Sequence, residues 1–226
     1  MLLMAACNKD PVEVNIITMT TMYPDVSFHM ERPLGTGDIT IDWGDGEESN
    51  MNDDQLKLGI RHHYSLASVY NITITGVIKM LDCYHNGLTT LDVSRSTALT
   101  HLYCDYNELT TLDVSRNTAL TELGCSSNDL TTLDVRGATA LTHLYCDYNE
   151  LTTLNVSRNT ALTHLYCNSN DLRILDVNHN TALINLNCNN NQLILLYVSR
   201  CTALTELGCN SNYLRGFLII KYLIFR

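Results

Sequence analysis

The chain has 226 residues, and 24 acidic side chains against 14 Lys and Arg give it a formal charge of −10. That balance excludes a nucleic-acid partner as the leading idea, because phosphate binding draws on clustered basic residues. No apolar run approaches the roughly 20 residues that a membrane-spanning helix needs, and with 45% hydrophobic residues there is ample material for a core.

The opening residues Met1 to Cys7 read MLLMAAC. A short apolar run, small residues and then Cys resembles the end of a bacterial lipoprotein signal peptide. The resemblance implies that Cys7 is lipidated, that residues 1–10 are a truncated signal and tether, and that the mature chain sits on the extracellular face of a bacterial envelope. The membrane is then met only through the lipid.

Residues 11–76 alternate in the manner of short strands. Val12, Val14 and Ile16 form one set, Val26, Phe28 and Met30 another, then Ile39, Ile41 and Trp43, then Tyr70, Ile72 and Ile74. Pro33 to Gly37 and Gly44-Asp45-Gly46 supply turns. Two face-to-face sheets are the economical arrangement. The word Trp43-Gly44-Asp45-Gly46, followed by His62-His63-Tyr64 and later Tyr70, resembles a PKD-type immunoglobulin-like domain, a family that mostly serves as a spacer in surface proteins. The acidic set Asp42, Asp45, Glu47 and Glu48 lacks a complete calcium-loop pattern and reads as a solvated turn.

From residue 77 to 226 the sequence repeats every 21 residues. Cys83, Cys104, Cys125, Cys146, Cys167, Cys188 and Cys209 mark the step, and Asn86, Asn107, Asn128, Asn149, Asn170, Asn191 and Asn212 keep it three places later. A fixed period of this length signals a solenoid in which each unit buries its apolar edge against its neighbours. One coil is two half-turns, Leu99-x-x-Leu102-x-Cys104-x-x-Asn107 and Leu109-x-x-Leu112-x-Val114-x-x-Asn117. Stacked cysteines with parallel Cβ directions do not suit a disulfide and read as small buried hydrophobes. Each Asn is expected to pair backbone groups that a turn would otherwise bury unpaired.

The first half-turn matches L-x-x-L-x-L-x-x-N and resembles bacterial extracellular leucine-rich repeat proteins, including internalin-like ones. The fold expected is mainly β: about seven coils with parallel strands on two sides of each, capped at the N-terminal end by the small sandwich. The resemblance implies a non-enzymatic adhesion or binding protein. Residues 97–121 match 139–163 at every position except Asp113 against Asn155, the mark of a duplicated pair of coils.

Function is to be sought where the period varies. The first strand of coils two, four and five carries His101, Tyr103, Asp105 and Tyr106; His143, Tyr145, Asp147 and Tyr148; and His164 and Tyr166. Tyrosine combines rigid contact area with a polar tip, so these residues are expected to form an exposed face that meets a protein or glycan on a host or neighbouring cell. The alternative is a spacer or scaffold whose tyrosines merely decorate a sheet. His143 and His164 with Asp147 make too few ligands for a metal centre. No cofactor motif is present, and no Ser-His-Asp set departs from the period. A second column, Asp92, Asp113, Asp134, Asn155 and Asp176, reads as a solvated acidic face. The apolar tail from Phe217 to Arg226 suits an improvised cap, a dimer contact or the result of a gene truncation.

Overall fold

A computed structural model describes residues 15–214. Cys7, where lipidation is expected, the segment 1–10 and the apolar tail lie outside these residues. So do Val12 and Val14.

The N-terminal part is a two-sheet sandwich. Its strands are β1 (Ile16–Thr21), β2 (Asp25–Glu31), β3 (Ile39–Asp42), β4 (Glu48–Met51), β5 (Ile60–His63) and β6 (Tyr70–Thr75), with one short helix, α1 (Asp53–Lys57), before β5. Val26, Phe28 and Met30 turn inward as their alternation requires, and so do Ile39, Ile41, Trp43, Tyr70, Ile72 and Ile74. In β1 the inward face is Ile17, Met19 and Thr21, with Ile16 half-buried. The strand is therefore one residue out of phase with the alternation of Val12, Val14 and Ile16. The reason is that β1 pairs with strands on both sides, and its parity is set by them.

Aromatic rings fill the sandwich. Phe28 stacks on Trp43 at 6.0 Å, Trp43 on His62 at 4.4 Å, and Tyr64 on Tyr70 at 3.7 Å. The Tyr64 hydroxyl donates to the Trp43 carbonyl at 2.8 Å, and burial pushes that phenol well above its usual range. Gly44 holds a φ of 79°, and a Cβ there would stand 2.5 Å from the Asn71 carbonyl oxygen. Only glycine fits this turn.

The solenoid follows as a succession of three-residue strands. β7 (Met80–Asp82), β9 (His101–Tyr103), β10 (Glu122–Gly124), β11 (His143–Tyr145), β12 (His164–Tyr166), β14 (Asn185–Asn187) and β16 (Glu206–Gly208) stack in parallel as one ladder. At the usual strand spacing they extend over about 29 Å. Leu99, Leu102, Cys104, Leu109 and Val114 have no exposure, and Leu112 has 4%. Each fully buried apolar side chain contributes roughly 1.5–3 kcal/mol before entropy is counted.

The second face is more sparsely laddered than the first. β8 (Leu88–Asp92) joins β1, a single bridge links Asp113 to Asp134, and β13 (Ile174–Asp176) pairs with β15 (Leu195–Tyr197). Between them the chain holds the same inward leucines without regular strand pairing. The ladder closes at the far end where Ile174 faces Leu195 in place of the threonines of earlier coils, an apolar cross-strand pair that supports the pairing. On this face Asp92, Asp113, Asp134, Asn155 and Asp176 each accept the N–H two residues on, at 2.8 to 3.1 Å. The acidic column is thus a row of side-chain-closed turns. Asp134 adds an ion pair with Arg136 at 2.6 Å, which holds its carboxyl down at about 2.

Sandwich and solenoid share both sheets. One sheet runs β4-β3-β6-β1-β8, and the long ladder continues past β7 into β2 and β5. Antiparallel pairs β2·β7 and β1·β8 close the edge that the first coil presents, which covers an otherwise adhesive strand. Asn86 seals the joint: its Oδ1 accepts the Ser27 N–H at 2.7 Å and its Nδ2 donates to the Ser27 carbonyl at 2.8 Å.

Candidate functional site

The ladder face is built by columns of side chains with different tasks. The innermost is structural. Asn107 Oδ1 accepts the N–H groups of Asn86 and Leu88 at 3.0 and 2.9 Å, and its Nδ2 donates to the carbonyls of Cys83 and Cys104. Asn128, Asn149, Asn170 and Asn191 repeat the pattern one coil apart. The cysteines beside them are free and, except for half-buried Cys209, buried. Burial pushes their thiols up, Cys188 to about 12. That shift favours the thiol over the thiolate, and Cys104 donates its S–H to the Gly124 carbonyl at 3.3 Å.

The residue before each of these Asn adopts a left-handed φ near 55°: His85, Tyr106, Ser127, Tyr148, Ser169, Asn190 and Ser211. The conformation is uncommon for side-chain-bearing residues and is held by N–H bonds to the next coil, as from Tyr106 to the Ser126 carbonyl at 2.9 Å. It throws Tyr106 and Tyr148 outward, 53% and 59% exposed. Tyr84 lies 5.1 Å from Tyr106, ring to ring. This exposed pair was not singled out by the repeat pattern, because its two members occupy different columns.

Of the expected site residues, His101, Tyr103, His143, Tyr145, His164 and Tyr166 do share the open side of the ladder, each half-buried. The His143 and His164 rings stack at 4.5 Å and Tyr145 and Tyr166 at 5.2 Å, because identical side chains lie in register on neighbouring strands. Each histidine Nδ1 meets the hydroxyl of the threonine before it, at 2.8 to 2.9 Å, and that hydroxyl also reaches a carbonyl of the preceding coil. With its one proton on the carbonyl, the hydroxyl is left to accept from Nδ1–H. Among the described residues no group of three His, Cys, Asp or Glu is placed to hold a metal ion.

Asp105 and Asp147 are half-buried like the histidines and tyrosines, and each is engaged by a backbone N–H of the next coil: Ser126 to Asp105 Oδ1 at 2.7 Å and Asn168 to Asp147 Oδ1 at 2.9 Å. Burial raises both carboxyls, Asp147 to about 6. They bond coil to coil while remaining acidic neighbours of the tyrosines.

The third coil breaks the aromatic column. Glu122 stands between His101 and His143, and Gly124 between Tyr103 and Tyr145. Glu122 lies against Tyr103, and burial together with that carboxylate pushes the Tyr103 hydroxyl up to about 12. The sequence signal for this feature is the word Glu122-Leu123-Gly124 set between two copies of His-Leu-Tyr. It is easily passed over, since it shows as missing aromatics.

Fold and ladder together define a leucine-rich repeat β-solenoid. Among solved structures, the functional domain of InlJ from Listeria monocytogenes, described as including a cysteine ladder, is similar over 62% of this chain at 39% identity, with a TM-score of 0.53. The chain covers 36% of that structure's length. An internalin, InlF from Listeria monocytogenes, matches over 62% of this chain and 49% of its own at 20% identity and a TM-score of 0.45. A leucine-rich repeat protein of Leptospira interrogans matches over 58% and 43% at 23% identity, with a TM-score of 0.46. No protein-family model matches the chain. No curated protein matches it either.

Proposed function

We propose that this is a non-enzymatic binding protein that recognises a protein or glycan on a host or neighbouring cell through the ladder face. The observation that supports the reading is the set of His and Tyr side chains on that face, held in fixed stacks by strand register. Rigid aromatic side chains lose little entropy on contact, and their polar tips choose the partner. The internalin-type neighbours favour a binding role of this kind. On this reading the sandwich, with its PKD-like turn at Trp43 to Gly46, is a spacer and cap. Cys7 is the lipid anchor at the outer face of a bacterial envelope, and the apolar C-terminal end is a dimer contact.

The test is a screen of the full chain against protein and glycan arrays, repeated with Tyr103, Tyr145 and Tyr166 all replaced by Ser. We expect the triple variant to bind its best partner at least tenfold more weakly while keeping its unfolding midpoint within a few degrees. Equal binding by the two proteins removes this face from the reading. Silence of the parent across a broad array favours the scaffold instead.

A further inference from the structure

The tyrosine column of the ladder face has one gap with a ring on each side of it. Gly124 pairs with Tyr103 on one neighbouring strand and with Tyr145 on the other. The two tyrosine backbones are therefore two strand spacings apart, about 10 Å. Two aromatic contacts need roughly 7 to 8 Å, so the strand spacing leaves room for one flat group between these rings, above a Gly124 that is itself buried beneath the Asp105 carboxylate. Tyr145 and Tyr166 show the closed form of the same column. The word Glu-Leu-Gly recurs at Glu206 to Gly208, but there the neighbouring strand offers Asn187 and Asn185, the latter hydrogen-bonded to Glu206. Among the described ladder strands, only the third coil sets a glycine between two tyrosines.

Charge selects what enters. The Asp105 carboxylate leans over Gly124, so that a Cβ on Gly124 would lie 2.5 Å from Asp105 Oδ2. Its other oxygen, Oδ1, is fixed by the Ser126 N–H. Glu122 lies two residues before Gly124 on the same side of the strand. Across residues 80–86, 101–107, 122–128, 143–149, 164–170, 185–191 and 206–212 there are five carboxylates and no Lys or Arg. The arginines Arg95, Arg116, Arg136 and Arg158 all belong to the far corner of the coil. A planar cation satisfies both features, stacking on the rings while its N–H groups meet the carboxylates.

We propose that the Tyr103–Gly124–Tyr145 gap is a receptor for an arginine side chain of a partner protein, with the guanidinium between the two tyrosine rings and paired to Asp105 and Glu122. The inference rests on the ladder face being the binding face and names the partner's chemistry there. It also favours a protein over a neutral glycan as the partner.

The probe is the peptide acetyl-Gly-Arg-Gly-amide, with its citrulline twin as the neutral isostere, titrated into the isotopically labelled full chain by NMR. The arginine peptide is expected to give saturable shifts centred on the Gly124 amide, with millimolar affinity, and the citrulline peptide at least tenfold weaker binding. Gly124→Tyr closes the column without changing net charge and pushes aside the Asp105 Oδ2 that a Cβ there would meet at 2.5 Å. It has a precedent for folding in Tyr145 and Tyr166, which follow in the same register, and it is expected to cut arginine binding at least tenfold. Glu122→Gln, which alters no backbone contact, is expected to weaken it severalfold. Equal response to citrulline, shifts centred away from Gly124, or undiminished binding by both variants overturns the proposal. Those results leave the tyrosine-to-serine comparison standing. If the wider reading holds and the gap takes no arginine, Gly124→Tyr keeps or improves partner binding, and the two failures are told apart.

Discussion

Asp147 shows how one residue serves the ladder and burdens it. Its Oδ1 accepts the Asn168 N–H, which any neutral amide oxygen also does, as Asn189 does for Asn210 in a later coil. Burial raises its carboxyl to about 6, against an ordinary value of about 3.9. The folded state thus holds the proton more tightly than the unfolded state. The favourable contribution is fully present below the ordinary value and is lost as pH rises through about 6. Asp147→Asn is therefore expected to stabilise the protein by about 1 kcal/mol at pH 7.5, a figure reduced for the side chain's partial exposure. The advantage is expected to vanish near pH 4. Urea midpoints of parent and variant at the two pH values check this, and a pH-independent gap between them contradicts it.

At the scale of the element, the asparagine column is what binds each turn to the next. Asn128→Ala leaves the buried Leu109 N–H unpaired and removes donors from the Cys104 and Cys125 carbonyls. The expected loss is about 2–4 kcal/mol, read as a lower urea midpoint. Asn117 at the opposite corner is the control. It also donates twice, to Val93 and Ser96, but its Oδ1 has no partner, so Asn117→Ala is expected to cost less. The equivalent place in the next coil is already Ala138. Both columns were legible in the sequence because a period of 21 repeats each contact many times over. The second column varies in sequence, with Ser96, Ala138 and Cys201 among its members, and its bonding is looser: Asn117, Asn159 and Asn180 leave their Oδ1 unpaired. β4, α1 and β5 were not legible. Residues 48–51 carry no apolar alternation, and their strand exists because β3 offers an edge to pair with. The helix is a single turn made by its cap: Asn52 accepts the N–H groups of Asp54 and Gln55, and Gln55 answers by accepting the Asn52 N–H. The register that sets the histidines and tyrosines side by side on one face of the ladder was legible from the period. The inward lean of Asp105 and Asp147 and the outward throw of Tyr106 depend on the left-handed turn, which no residue-type pattern announces in a chain that uses Tyr, Ser, His and Asn there alike.

For the whole molecule, the repeat makes stability close to a sum over coils and their interfaces, and the duplicated pair permits a direct test. Removing residues 97–138 joins Ser96 to Thr139, and the sequence that then follows the first coil, 139–163, is the one that followed it before except for Asn155 in place of Asp113. β7 would meet β11 through His143, Leu144 and Tyr145, the same three residue types it meets in β9. The junction with the sandwich is untouched, since β2·β7 and β1·β8 lie before the cut. The shortened chain is therefore expected to fold with one cooperative transition. Its denaturant slope should fall in proportion to the surface no longer buried, and its midpoint should drop modestly. Circular dichroism through a urea titration reads both. Failure to fold would show that coils two and three carry contacts the period does not describe. The same deletion removes Tyr103, Glu122 and Gly124 while retaining the stacked rings of Tyr145 and Tyr166. It should abolish arginine-peptide binding and preserve the aromatic face, separating the gap from the ladder that frames it.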